Sequence, residues 1–215
     1  MKKILLLFVL FILSTHVANA QIKTYFKADA VGSVVNSKVE KLDGTYKRID
    51  HFYTPLIRPT IGFGLEYQFA DNGVKLVTGL EWTQRGYREP DAKYDTIPGV
   101  VRGQISDMLS FPVNIGYRIN DKFSVLAGGR VDKNIWKNKN YLVIYEDYTG
   151  GNVYNSITAG ANLGIEYHFN KNITVGAEYC HNFTSFTKDE PLVFKTKVES
   201  YYRSLSLYAR FSFMK

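Results

Sequence analysis

Between Thr60 and Phe69 apolar and polar or small residues alternate without a break. Ile61, Phe63, Leu65, Tyr67 and Phe69 fall on one face, and Thr60, Gly62, Gly64, Glu66 and Gln68 on the other. After Asp71-Asn72-Gly73 the pattern resumes, with Val74, Leu76, Thr78, Leu80 and Trp82 against Lys75, Val77, Gly79, Glu81, Thr83 and Arg85. Period two on both sides of a tight-turn tripeptide predicts a β-hairpin. Its strands exceed the roughly five or six residues usual in soluble sheets and reach the roughly 9 to 11 that a tilted strand needs to cross a bilayer. The second face is too polar for a dry core. The arrangement fits apolar side chains turned to lipid and polar ones turned to a lumen.

The same grammar recurs along the chain and predicts eight strands, near residues 23–35, 58–69, 74–86, 105–119, 122–132, 153–169, 172–183 and 200–213. Asp71-Asn72-Gly73, Asn120-Asp121 and Asn170-Lys171-Asn172 are short connections, and they alternate with long ones near residues 36–57, 87–104, 133–152 and 184–199. This is the plan of an all-β, eight-stranded antiparallel up-and-down transmembrane β-barrel, with turns in the periplasm and loops outside. An even strand count puts both termini in the periplasm. Tyr67, Phe69, Tyr117, Phe123, Tyr167, Phe169, Phe211 and Phe213 lie beside the short turns or the chain end, where they would form an interfacial aromatic girdle. Gly64-Leu65-Glu66-Tyr67-Gln68-Phe69 is echoed by Gly164-Ile165-Glu166-Tyr167-His168-Phe169, which would face it across the lumen.

The ends and the composition sharpen this picture. Met1-Lys2-Lys3, the apolar run Ile4 to Leu13 and Ala18-Asn19-Ala20 read as a secretory signal peptide over residues 1–20, leaving 21–215 as one barrel domain. Its removal lowers the formal charge from +7 to +5, because Lys2 and Lys3 leave with no acid. That surplus, without a Lys/Arg run in a secreted chain, argues against a nucleic-acid partner. Cys180 is the only cysteine, which excludes an intrachain disulfide and a cysteine-based zinc site.

Two strand motifs resemble those of the PorT-like outer-membrane β-barrel proteins of the Bacteroidetes. Gly79-Leu80-Glu81-Trp82-Thr83-Gln84-Arg85-Gly86 is similar to that family's glycine-leucine-x-aromatic-x-glutamine-basic-glycine strand. Met108-Leu109-Ser110-Phe111-Pro112 is similar to its tyrosine-leucine-glutamate-apolar-proline strand, with Met108 and Ser110 replacing the tyrosine and the acid. The resemblance implies an eight-stranded outer-membrane barrel; a few relatives assist secretion or gliding machinery. Pro112 cannot donate to a ladder, so it is expected at a bulge or near the outer rim.

Parity assigns Lys27, Asp29, Glu66, Lys75, Glu81, Arg85, Arg118, Arg130, Asp132, Glu166, His168, Glu178 and Arg210 to the lumen. Acids and bases in one narrow interior predict an ion-pair network, with Arg85, Arg118, Arg130 and Arg210 reaching Glu66, Glu81, Glu166 and Glu178. A lipid-modifying enzyme is the alternative, and its candidates are His51, His181, Ser185 and Asp189. Parity turns His181 to the lipid side, the wrong side for a triad, and leaves Cys180 without an inward histidine beside it. No phosphate loop or HExxH pattern appears, so no catalytic residue, cofactor or metal is expected. The remaining class is a binding or structural protein acting through outer loops that carry Tyr46, His51, Phe52, Tyr53, Trp136, Tyr141, Tyr145 and Tyr148. Tyr53, Trp136 and Tyr145 are the binding candidates. Expected partners are outer-membrane lipid, the barrel-assembly machinery and an extracellular or envelope protein; an accessory role in secretion or gliding is a further alternative.

Overall fold

The computed structural model describes residues 21–41, 46–47, 54–69, 73–88, 103–138, 155–186 and 196–213. Within them the regular elements are strands: β1 (Gln21–Lys41), β2 (Tyr46–Lys47), β3 (Thr54–Gln68), β4 (Val74–Arg88), β5 (Gly103–Arg118), β6 (Phe123–Asn138), β7 (Ile157–His168), β8 (Ile173–Asn182) and β9 (Thr196–Phe213). β2 is a two-residue strand paired only with the far end of β1. The other eight form an antiparallel ring in chain order, closed where β1 runs against β9 from Thr24 opposite Phe213 to Lys41 opposite Thr196. Closure leaves no strand edge open to lipid, the condition a sheet must meet to cross a bilayer.

The short turns form as their residues dictate. Gly73 has a φ of 70°, a backbone conformation that glycine adopts without penalty. Asn120 and Asn170 make the same Asx turn. Each Oδ1 accepts two backbone N–H groups, from Lys122 and Phe123 at 2.9 Å in the first and from Asn172 and Ile173 at 2.8 Å in the second.

Burial is inverted relative to a soluble protein. Ile61, Phe63, Leu65, Leu80, Phe111, Ile115, Leu163, Leu205, Leu207 and Phe213 are exposed, whereas Lys27, Glu66, Lys75, Glu81, Arg85, Arg130, Asp132, Glu166 and Arg210 are buried. On the outward faces of β5, β6 and β9 a charged residue and an aromatic stand ten positions apart: Asp107 and Tyr117, Lys133 and Phe123, Arg203 and Phe213. Ten steps of about 3.4 Å along strands tilted by about 40° give a band on the order of 25 Å tall, the height of the apolar belt on outer-membrane barrels. At the short-turn edge of that band ring contacts tie Tyr67 to Phe69 (4.8 Å between centroids), Tyr167 to Phe169 (4.9 Å) and Phe123 to Tyr167 (5.1 Å).

Most departures from the expected strand limits lie at the long-loop end. β1 continues to Lys41, β6 to Asn138, and β9 begins already at Thr196. Past the charged edge of the band the outward face need not be apolar, so the alternation fades although pairing continues. β7 departs the other way and begins at Ile157, four residues later than expected. Pro112 is a correction. It lies mid-strand and buried, and the ladder from β4 to β5 keeps one register across it. Pairing is missing only where Gly79 and Leu80 pass Phe111 and Pro112, and the Thr78 hydroxyl donates to the Pro112 carbonyl at 2.9 Å. A lost rung costs less here than a register slip, which would turn every later side chain inside out. The register shift between β5 and β6 comes instead where Asp107 faces Trp136 and Met108 faces Asn134, with Ile135 of β6 the extra residue.

Placing arginine in the middle of the band tests these faces. Leu207→Arg is expected to lower the unfolding free energy by about 2 to 4 kcal/mol, and Leu207→Phe to leave it nearly unchanged. Urea titration of folded and unfolded forms in lipid vesicles measures both.

Candidate functional site

The densest chemistry is in the interior, where side chains from facing strands meet in two charged groups. In the group at the short-turn end, Lys75 Nζ lies 2.6 Å from Glu166 Oε2 and 3.4 Å from Glu66 Oε2. Arg210 Nη2 lies 2.8 Å from both Glu66 Oε2 and Glu166 Oε1. Two cations and two carboxylates thus alternate in a closed square. Its two acids are the equivalent glutamates of the internal repeat, brought together from opposite strands.

The second group lies toward the long-loop end. Lys27 Nζ is 2.8 Å from Glu81 Oε1 and 3.3 Å from Asp29 Oδ2. Arg130 donates through Nε to Asp132 Oδ1 at 2.8 Å and through Nη2 to Ser110 Oγ at 2.6 Å. Glu81 and Glu178 stand 4.0 and 3.9 Å from the same guanidinium. Arg85 pairs with Asp132 at 3.2 Å and donates to Asn182 Oδ1 at 3.0 Å. Asn114 Nδ2 donates to Glu178 Oε2 at 3.2 Å.

One tyrosine, Tyr208, joins the groups, and a second, Tyr25, lies against the first of them. The Tyr208 hydroxyl donates to Glu166 Oε1 at 2.9 Å, while its ring faces Lys27 Nζ 4.7 Å away. The Tyr25 hydroxyl donates to the Thr78 carbonyl at 3.0 Å, and its ring centroid lies 4.9 Å from the Arg210 guanidinium carbon. Both rings need glycine opposite them. A Cβ at Gly64 would meet the Tyr25 ring, and one at Gly176 the Tyr208 ring. Between the groups, a void of about 10 Å³ bounded by Lys27, Glu81, Asn114, Glu178, Tyr208 and Arg210 has room for about one water molecule.

Above the charged groups, at the long-loop end, the interior turns apolar. Val35, Met108, Phe186 and Tyr202 form one buried cluster, with the Phe186 and Tyr202 rings stacked at 4.3 Å. Phe186 comes from the segment after β8. It is fixed there because its N–H donates to the Ser200 carbonyl and its carbonyl accepts the Asn155 N–H, both at 2.8 Å.

The thirteen charged or titratable residues assigned to the lumen by parity all occupy inward positions, but their partners differ in detail from those the sequence suggests. Arg85 pairs with Asp132, and the nearest cation to Glu81 is Lys27. Arg118 sits half-buried at the short-turn end without an ion pair among the described residues, and its Nε is buried with no hydrogen-bond partner. Two strand neighbours satisfy His168: Nε2 contacts Ser124 Oγ at 2.8 Å and Nδ1 contacts Thr174 Oγ1 at 2.9 Å. Sequence reasoning missed Tyr208 as a bridge, Tyr25 against Arg210 and the Val35–Met108–Phe186–Tyr202 cluster. The inward parity of Tyr208 beside Arg210 was the available signal.

Of the enzyme candidates, His51 and Asp189 lie outside the described residues. Ser185 Oγ accepts the Ser200 N–H at 3.0 Å. His181 faces outward on β8, and Cys180 is buried inward between Arg85 and Asn182. Among the described residues no group of His, Cys, Asp and Glu has a metal-binding arrangement. Of the loop candidates, Tyr53 and Tyr145 lie outside the described residues, and so does the side chain of Trp136.

A test of the square follows from its geometry. Arg210→Leu leaves Glu66 and Glu166 to share Lys75, and is expected to cost about 3 to 5 kcal/mol. Adding Glu166→Gln should recover part of that loss, and Arg118→Leu should cost well under about 1 kcal/mol. Unfolding midpoints of the four proteins in one detergent decide the order.

Comparison with known proteins agrees with this architecture. The family described as "Outer membrane protein beta-barrel domain" matches residues 18–188. Among solved structures the chain is similar to Neisserial surface protein A, with 15% identity, 88% of this chain and 97% of that one covered and a TM-score of 0.46. The attachment invasion locus protein Ail of Yersinia pestis, in complex with the heparin analogue sucrose octasulfate, is 16% identical, covered at 88% and 99%, with a TM-score of 0.39. The outer membrane protein OprG of Pseudomonas aeruginosa is 11% identical, covered at 91% and 98%, with a TM-score of 0.48. No curated protein matches the sequence.

Proposed function

Because the chain belongs to the outer membrane protein beta-barrel domain family, we propose that it is a non-enzymatic outer-membrane protein with a closed lumen. On this reading it acts through its long loops in a structural or binding role. Residues 1–20 are its signal peptide, and the short turns and both termini face the periplasm. The strand motifs Gly79–Gly86 and Met108–Pro112 favour the PorT-like group of the Bacteroidetes as its finer placement.

The observation that carries the closed lumen is the interior itself. Eight strands enclose space that side chains can fill. Here Lys75, Glu166, Arg210 and Glu66 meet across it, and the Val35–Met108–Phe186–Tyr202 cluster stands above. A conducting path would have to break ion pairs whose side chains are almost wholly shielded from solvent, leaving buried charges unpaired. The outward His181 and the engaged Ser185 supply no hydrolase constellation, which favours the loops over the barrel wall as the seat of function.

Purified protein in a planar bilayer is expected to give no stable open channel. Reproducible ion-selective conductance would sink the closed-lumen reading. Orientation is separable: in a Cys180→Ser background, a cysteine at Asn138 should react with a membrane-impermeant label on intact cells, and one at Asn172 should not. Labelling of Asn172 would invert the protein in the membrane.

A further inference from the structure

Among the described residues outward-facing charge is scarce within the apolar band, and at its long-loop edge it is unevenly matched. Asp107 on β5 accepts the Gln84 amide at 2.8 Å. On the far side of the ring, Arg203 of β9 is the direct cross-strand partner of His181 of β8, and both occupy outward positions. No acidic residue stands on the outward face of β7 or β8, or of β9 between Arg203 and Phe213. The next outward position with an acid on β9, Glu199, is four residues away, about 13 Å along a strand, and accepts the Tyr201 hydroxyl at 2.8 Å. Just inside the band the exposed neighbours are Leu205, Tyr179 and Leu163. Among the described residues Arg203 has no acidic partner; a guanidinium held so at the border of lipid is unfavourable, and a second nitrogen base beside it supplies no relief. The Tyr179 hydroxyl lies 3.4 Å from His181 Nδ1, which leaves Nε2 as the imidazole nitrogen available to a ligand.

We propose that Arg203 and His181 bind the phosphate of an anionic lipid headgroup at the long-loop edge of the membrane, with its acyl chains lying against Leu205 and Tyr179. The planar fork of arginine matches two phosphate oxygens, and His181 Nε2 reaches a third. Position selects a lipid over a free anion. The pair opens at the border of the apolar band, where a tethered headgroup is held at high local concentration and chain contacts add to the binding. By the orientation proposed above, this border belongs to the outer leaflet.

Native mass spectrometry of the purified full chain, after exchange into nanodiscs containing phosphatidic acid or only phosphatidylcholine, tests the site. Wild-type protein should retain one phosphatidic acid that excess inorganic phosphate does not displace. Arg203→Gln should weaken that retention roughly tenfold, the scale of one lost charge-assisted contact. Arg203→Gln with His181→Gln should abolish it, and Arg203→Lys should restore only part. Lys133→Gln removes a charge from the same edge of the band on β6 and should change nothing, which separates the pair from net charge. Heat-modifiable gel mobility confirms that each variant is folded. Equal retention by wild type and the double variant overturns the proposal, as does displacement by inorganic phosphate or an equal loss in Lys133→Gln. The two leaflets of a nanodisc are equivalent, so this outcome is independent of the labelling at Asn138 and Asn172.

Discussion

Charge that enters this barrel must be matched inside it, because the ladder uses the backbone groups and the outer surface faces hydrocarbon. The square of Lys75, Glu66, Arg210 and Glu166 meets that demand most completely, each acid touching both bases and each base both acids. Taking four charges out of water costs several kcal/mol per ion, which a single pair offsets poorly. A closed square doubles the contacts per ion without ordering any further side chain. It also spans the interior, since its members come from β3, β4, β7 and β9, so it resists any change in ring shape that would separate them.

Packing follows from that demand. A long cation needs space to reach the opposite wall, and a tyrosine needs more, so the strands across from Tyr25 and Tyr208 carry Gly64, Gly79 and Gly176. Tyr208 keeps the charged groups from being independent, because it offers its hydroxyl to Glu166 of one and its ring face to Lys27 of the other, while Tyr25 ties Arg210 to the wall through its ring and the Thr78 carbonyl. Toward the long loops the interior no longer needs polar groups for pairing. There it ends in the stacked Phe186 and Tyr202 with Val35 and Met108, packed as in the core of a soluble protein.

How much of this was legible in the sequence depended on the range over which each property is decided. Inside and outside are decided residue by residue, so alternation from Thr60 to Arg85 was enough to orient the strands, and Asn120 and Asn170 announced their own turns. The choice of partner is decided across the ring by register and stagger. Parity put Arg85 in the lumen, but its height opposite Asn182 and Asp132, not any local feature, gave it those partners in place of a glutamate. Arg118 shares the inward parity yet has no ion pair among the described residues, and its Nε is buried without a hydrogen-bond partner. Pro112 misled for the opposite reason. The local rule that proline disturbs a ladder is sound, yet the mid-barrel site absorbs the loss through one missing stretch of pairing and a threonine hydroxyl.

The internal repeat shows what such a ring asks of a sequence. Gly64–Phe69 and Gly164–Phe169 place a glycine, an inward glutamate and two outward aromatics at the same spacing before a turn. The glutamates meet on one pair of cations, and the aromatics make nearly the same ring contact, 4.8 Å in one and 4.9 Å in the other. Each element is required where it stands: the glycine for clearance, the acid for Lys75 and Arg210, and the aromatics for the interface at the short-turn end. Requirements of that kind recreate the motif wherever a strand descends to a short turn opposite a basic residue. The repeat therefore reports the shape of the barrel, and two strands that arose separately would carry it as readily as two that arose by duplication.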